Sequence, residues 1–285
     1  MPFLTAEGIS KLVVELLSRA LVLPQTVLRV PGRDFSGPNG ATVTIRVPKR
    51  RTANEQITPG TDISGSFAAI DEDPISLTVH HLFDAALVTD EDLTLGIEAF
   101  GRQVSAPQVA AVAELAEDQL AEVMNDMAAA FPLTGNIEDD VLQAREMLTD
   151  NRVPAGRRYL AVSPDVATEM LKLDKFSRVD TSGSPSALRD AVLGKIYGLT
   201  VVESNALSAG TGVAYHESGF AFASLSPAIP QGASSAAQAT ANGIAIRQLF
   251  AFIPAILSDV SVVSTFAGAV LVDADRVVKI GEVGS

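Results

Sequence analysis

The chain has 285 residues, 47% of them hydrophobic, enough for a large core and too apolar for wholesale disorder. A net charge of −13 excludes a broad basic face for gripping nucleic acid. The absence of cysteine excludes disulfides and thiolate metal sites and fits a reducing compartment.

Residues 4–22 read as a short amphipathic helix capped by Thr5, with Leu12, Val13, Leu16, Leu17 and Leu21 inward and Lys11, Glu15 and Arg19 outward. Leu23–Gly40 is punctuated by Pro24, Pro31, Pro38, Gly32, Gly37 and Gly40, which predicts an extended arm rather than a packed element. Ordering such an arm costs entropy unless something holds it, and another subunit is a candidate. Ala41–Pro48 alternates as a strand does, and the basic cluster Lys49, Arg50 and Arg51 follows it. A polar stretch, Thr52–Ala68, and the acids Asp71, Glu72 and Asp73 lead to a second strand from Ile75 through Thr89. Two strands split by about 25 mostly polar residues make an excursion unusual inside a compact domain. A bare hairpin is marginal in water, so this one is expected to lie on a neighbour, its basic triplet against acidic surface. A solvated tip is the alternative.

Asp90–Phe100 reads as a short helix leading into a long one, Ser105–Phe131. Ser105 and Gln108 have capping-box spacing, Pro107 suits a first turn, and Pro132 ends the run. Val112, Leu115, Gln119, Val123, Met127 and Ala130 share a stripe, with Leu120, Met124 and Phe131 beside it. Glu114, Glu117, Asp118 and Glu122 lie largely off that stripe. At about 1.5 Å per residue the rod spans roughly 40 Å, and strand-rich sequence on both sides makes it a spine.

Asn136–Asp150 is a further helix, with Ile137, Val141, Ala144 and Leu148 on one face and three acids in its first turn. Arg157–Val162 reads as a strand, and Ser163 caps a helix over Pro164–Leu173. Lys175–Pro185 reads as a loop, Ser186–Leu193 as a helix, Gly194–Gly198 as a turn and Leu199–Glu203 as a strand. Val213–Tyr215 and Phe220–Ala223 are strands, and the uncharged Pro227–Asn242 is a flexible surface loop. Gly243–Ile253 and Ala255–Thr265 are strands, and Gly268–Val272 with Arg276–Ile280 make a hairpin. An α/β unit is thus inserted into a strand-rich body whose sheet the spine covers.

Local chemistry is sparse. The chain carries no GxSxG, HExxH or GxxxxGK pattern, and Gly210–Thr211–Gly212 precedes no clear helix. His80 and His81 adjoin on a strand and point to opposite faces, so they do not share a metal. His216 beside Glu217 reads as an exposed turn histidine. The acids at Asp71–Asp73 and Asp90–Asp92 read as solvated faces rather than cation sites. No metal, cofactor or catalytic residue is assigned. The start lacks a secretory pattern, and the apolar runs Leu12–Leu23 and Leu249–Leu257 are broken or short, so a soluble intracellular protein without a membrane span is expected.

VPAGRRYLAVSPDVATEMLKLDKF (Val153–Phe176) followed by ALRDAVLGKIYGLTVVESNAL (Ala187–Leu207) resembles the major capsid proteins of tailed bacteriophages with the HK97-type fold, most of all the actinobacteriophage branch. The resemblance rests on Pro154, Gly156, Arg157 and Tyr159, then Ser163 and Pro164, then Leu188, Arg189, Gly194, Ile196 and Gly198. Asp190–Ala191 departs from it where relatives carry a glycine. The resemblance implies an α+β fold: an N-arm over 1–40, an extended hairpin loop over 41–89, a peripheral domain with the spine helix over 90–135 and 243–285, and an inserted α/β axial domain over 136–242. It further implies pentamers and hexamers that close an icosahedral shell around double-stranded DNA without sequence-specific binding, assembled in the host cytoplasm for the virion. Lys49, Arg50 and Arg51 in the extended loop become inter-subunit contacts. The arm shows no scaffolding segment, so a separate scaffolding protein or prior removal is implied, with a portal and possible decoration proteins as partners. Some relatives weld subunits through a Lys–Asn isopeptide bond, and no welding is expected of Lys49. Two rival readings stay open: an encapsulin-type compartment of the same fold holding a cargo enzyme, and a small-molecule α/β enzyme.

Overall fold

The computed structural model describes residues 22–35, 41–49, 51–55, 58–60, 62–67, 69–89, 91, 101–172, 192–233, 235–241 and 244–281. The helices expected over 4–22 and 90–100 and the loop over 175–185 lie almost wholly outside those residues. Of the helix expected over 186–193 only its end is described, and that end is strand.

In chain order the strands are β1 (Leu28–Val30), β2 (Thr42–Pro48), β3 (Glu72–Thr78), β4 (His80–Thr89), β5 (Arg158–Val162), β6 (Val192–Ile196) and β7 (Leu199–Glu203). They continue with β8 (Gly212–His216), β9 (Phe220–Leu225), β10 (Ser235–Ala241), β11 (Ile244–Ile253), β12 (Ser258–Leu271) and β13 (Val277–Ile280). The α-helices are α1 (Ala106–Asn125), α2 (Ile137–Asp150) and α3 (Pro164–Leu171).

β12, rich in β-branched residues, is the axis of a six-stranded sheet. β4 pairs antiparallel along one edge from Ser258 to Ala267. The other edge is shared end to end by β11, opposite Ser258–Ser264, and β9, opposite Phe266–Leu271. β10 extends the sheet beyond β11, and β1 joins β9 in parallel. A five-stranded sheet runs β13-β8-β5-β7-β6, and β2 and β3 form a separate hairpin. Strand by strand, 220–241 lies in the six-stranded sheet with the body, while the tail strand β13 lies in the five-stranded sheet.

The spine is shorter than its sequence suggests. A π-helical turn over Gly101–Ser105 leads into α1, so Ser105 sits in helical conformation and caps nothing. Its hydroxyl accepts from Gln248 Nε2 at 2.7 Å, and Gln108, instead of closing a capping box, binds Ser261 through both ends of its amide. Beyond Asn125 the chain leaves the helix, because β13 captures it. Lys279 Nζ donates to the carbonyls of Asn125 and Met127 at 2.6 and 2.9 Å, the Ala130 amide donates to Lys279 O, and Phe131 bridges Ile280. A cation on the last carbonyls also suits the helix dipole.

The buried face of α1 is Val109, Val112, Ala113, Ala116, Leu120 and Met124, with Glu117 and Ala121 beside it. Leu115, placed on the inner stripe by its spacing, is exposed. Alanines hold the face because only small side chains let the helix approach closely. One core joins this face to Leu82, Ile246, Val263 and Ala267 of the six-stranded sheet and to Ala161, Val202, Val213 and Tyr215 of the five-stranded one. A second core fills the far side of the five-stranded sheet, where Leu160, Val162, Val201, Ala214 and Val278 meet Val141, Ala144 and Leu148 of α2 and Val166 and Met170 of α3. The α2 face is the one the sequence predicts.

Four other expectations are corrected. Residues 22–35 are packed: Leu23, Val27 and Phe35 are buried, β1 adds to the sheet, and Thr26 Oγ1 hydrogen-bonds the Tyr215 hydroxyl. The stretch 235–241, read as loop because it is low in complexity and uncharged, is β10; Ala237 packs in the α1 core, where small residues suffice. β13 pairs with β8, not with the end of β12, because a 3-10 turn at Ala274–Arg276 carries the chain into the other sheet. Ser163 stands at the α3 N-cap, but its hydroxyl exchanges hydrogen bonds with the backbone of Thr211 rather than capping.

The hairpin of β2 and β3 is rooted on its own sheet. Leu77 and Val79 are buried with Phe35, Ala221 and Ala223, and Val43, Ile45, Val47 and Ile75 pack against that cluster. At the root the chain crosses Gly268 so closely that a Cβ there would lie 2.1 Å from Thr78 O.

Glu117, expected off the buried face, is inside. Oε1 accepts from Ser204 Oγ at 2.8 Å and Oε2 from the Val22 amide at 3.1 Å, tying the helix to the segment that precedes β1. Burial raises its carboxyl above the ordinary value, against those hydrogen bonds. A carboxyl raised in the folded state contributes stability that is complete below its unfolded value and is lost as pH rises through the folded one. The stability of the native chain minus that of Glu117→Gln is therefore expected to fall between about pH 4.5 and pH 7, by about 1.4 kcal/mol per unit of separation between the two pKa values. Urea denaturation at both pH values measures it. Gly268→Ala is expected to destabilise by about 3 kcal/mol or more, since backbone rather than a flexible side chain must shift. Gly65→Ala, where a Cβ meets nothing within 4 Å, is the control and is expected to leave the urea midpoint unchanged.

Candidate subunit-contact surfaces

The hairpin carries the residues that sequence singled out. Pairing of Val47 with Asp73 and Pro48 with Glu72 brings Lys49 between two acids. Lys49 Nζ lies 2.8 Å from Asp71 Oδ2 and 3.0 Å from Asp73 Oδ1. These hydrogen bonds, Asp71 first, hold the Lys49 ammonium above its usual range, and Lys49 in turn holds the Asp71 carboxyl below its own. All three groups are well exposed, so the pairing aligns the hairpin more than it stabilises it. Arg51 is exposed just beyond, and Arg50 lies outside the described residues.

Past the strands the loop presents what the sequence reading passed over. Phe67 is 76% exposed and Ile70 is 81% exposed, with Ile63 exposed nearby. Large apolar residues in a mostly polar loop were the available signal.

A second surface lies on the six-stranded sheet, on the side away from α1. Period-two alternation puts Leu82, Val88 and Val263 beneath the helix, so Phe83 and Leu87 of β4, Val260 and Val262 of β12 and Leu249 and Ile253 of β11 face outward. Phe83 is 62% exposed and Leu87 is 56% exposed. The turn between β11 and β12 continues the patch with exposed Ile256 and Leu257, the latter at a φ of 46°. The hairpin root covers only the other end of this face, around Ala221, Ala223 and Phe266.

His81 packs its ring 4.7 Å from that of Phe266. His216, read as exposed, is half-buried, and its Nδ1 accepts from the Ser218 amide at 3.2 Å. Among the described residues no group of three or more His, Asp or Glu could hold a metal ion, and no helix is long and apolar enough to cross a membrane. Asp90 and Asp92 lie outside the described residues.

The family model described as phage capsid protein matches residues 83–279. No curated protein matches the chain. A solved structure from Mycobacterium phage Che8 is 22% identical, with a TM-score of 0.64 over 93% of this chain and 92% of that one. The mature capsid of bacteriophage PhiM1 is 17% identical, with a TM-score of 0.58 over 90% and 85%. The holo-SrpI encapsulin complex from Synechococcus elongatus PCC 7942 is 13% identical, with a TM-score of 0.55 over 92% and 88%. At these identities the likeness is one of fold, and the fold is the HK97-like capsid fold. With the family model matching more than half of its length, the chain belongs to the phage capsid protein family.

Proposed function

We propose that the chain is the major capsid protein of a tailed phage, in the actinobacteriophage branch. Pentamers and hexamers of it close an icosahedral shell around double-stranded DNA, assembled in the host cytoplasm on a separate scaffolding protein and joined by a portal and possible decoration proteins. The observation that carries this reading is the apolar surface the described residues leave open: Phe67 and Ile70 on the hairpin loop, and Phe83 and Leu87 on the outer sheet face. Contiguous exposed apolar patches mark sites of association, and in a self-assembling chain each copy supplies both surfaces. The hairpin of one subunit lies on the body of the next, with Lys49, Arg50 and Arg51 meeting acidic surface there. The net charge of −13 suits a wall that encloses DNA without gripping its phosphates.

The fold shared with an encapsulin supports a second reading, a compartment around a cargo enzyme. Nuclease-resistant DNA inside purified native particles is expected, and a co-purifying enzyme in place of DNA would select the compartment. Lys49→Glu, Arg50→Glu and Arg51→Glu together are expected to leave the circular dichroism and thermal midpoint of the subunit near those of the native chain while abolishing closed shells in negative-stain micrographs of protein expressed with its scaffold. Normal shells from that triple variant would show the cluster to be merely solvated.

A further inference from the structure

The chain passes between its two large sheets twice at one place. β8 ends at His216, turns through Glu217–Gly219 and becomes β9 of the other sheet. β12 ends at Leu271, turns through Ala274–Arg276 and returns as β13. The two passages run antiparallel, with Phe220 opposite Leu271 on one side and Tyr215 opposite Val277 on the other. They touch. The Val272 and Asp273 amides donate to Gly219 O at 2.8 and 3.2 Å, and a Cβ on Gly219 would lie 2.7 Å from Val277 Cγ2.

Four side chains meet where the passages touch, and the bond from Arg276 to Ser218 crosses between them. The Ser218 hydroxyl lies 2.8 Å from His216 Nδ1 and accepts from Arg276 Nη1. Arg276 Nε lies 2.7 Å from Asp273 Oδ2. Because Nδ1 accepts the Ser218 amide hydrogen, the imidazole is neutral in this geometry, with its proton on Nε2. We propose that His216, Ser218, Arg276 and Asp273 form an acid-released clamp on the paired passages, so that protonation of His216 loosens the coupling between the two sheets.

Protonated Nδ1 cannot accept the Ser218 amide hydrogen, and the imidazolium then faces the Arg276 guanidinium across Ser218, so the contact between the passages loosens from the histidine end. The charged groups around His216 are Arg157 just before β5 and Arg158 at its start, Glu217 beside it, and Arg276 with Asp273 from the returning passage. The three arginines oppose a further cation. Both carboxylates already hold cations, Glu217 to Arg157 at 3.0 Å and Asp273 to Arg276. The Arg158 guanidinium is fixed by the carbonyls of Val153 and Pro154. Half-burial first, and Arg276 next, place the His216 imidazole below its ordinary range, with Glu217 opposing. A base depressed in the closed state contributes stability that is present above its unfolded value and lost as pH falls through the closed-state value. Acid therefore opens the clamp.

Hydrogen exchange on the full chain tests this, with rates corrected for the intrinsic effect of pH. Between about pH 7.5 and pH 5, protection of 212–225 and 268–281 is expected to fall relative to α2, by about tenfold for each unit of separation between the open-state and closed-state pKa values. His216→Asn keeps an acceptor for the Ser218 amide but does not titrate, and is expected to hold its protection across the range. Equal acid sensitivity in the native chain and the variant would overturn the proposal, as would no loss in the native chain. Should the variant fail to fold, imidazole resonances of the native chain decide. The His216 titration is expected to coincide with the loss of protection, and separate midpoints would overturn the clamp.

Discussion

Burial of α1 against strands from both large sheets is the constraint on which the rest of the architecture depends. The helix brings Val109, Val112, Leu120 and Met124 to near-complete burial, each worth about 1.5–3 kcal/mol, and its alanines bring the backbone close to both partners. Because one core is common to the two sheets, neither can close its apolar face without the helix. The inserted α/β unit and the strand-rich body are therefore one packing problem. Polar contacts at the start, middle and end of the helix fix this arrangement. Gln108, Gln248, Ser105 and Ser261 set the register of its first turns on the sheet. Glu117 ties its middle to residues 22–23, and Lys279 closes its last carbonyls.

What this core leaves over is as informative as what it buries. Among the described residues, the side of the six-stranded sheet away from α1 is covered at one end by the hairpin root and left exposed at the other. The hairpin loop carries large apolar groups beyond the reach of its own root. The two limbs are not alike in this respect. Residues 22–35 are held by their own body, through Leu23 and Phe35 in its cores and a strand pairing with β9. The hairpin is held at its base and open at its tip.

The two sheets are also coupled by covalent chain, and the coupling is concentrated. Two of the passages between them lie against each other, so any relative motion of the sheets must shear the contacts of Gly219, Ser218 and Arg276. These contacts are polar and partly exposed, whereas the α1 core is apolar and closed. Solvent conditions therefore act on the passages first.

Much of the fold was legible in the sequence because it follows from local rules. Alternation predicts β2, short apolar runs between turn formers predict β7, β8 and β9, the three-and-four spacing of Val141, Ala144 and Leu148 gives the buried face of α2, and the ordered motifs from Pro154 to Gly198 carry the family. Along α1 the same spacing misleads, because exposure there is decided by which side chains two sheets can admit, and alanine outranks leucine at close approach. Where α1 ends was likewise decided by Lys279, 154 residues beyond Asn125, which strand β13 joins by its pairing with the earlier β8, and whether 235–241 pairs by an edge that small residues satisfy. At the candidate contact surface the charges of Lys49, Arg50 and Arg51 stand out in any reading of the chain. The apolar surface became visible only when the sheet showed which alternate residues the helix covers. Composition and periodicity determine which segments become helix or strand; only tertiary structure decides which face is buried, because burial depends on the groups that arrive from elsewhere in the chain.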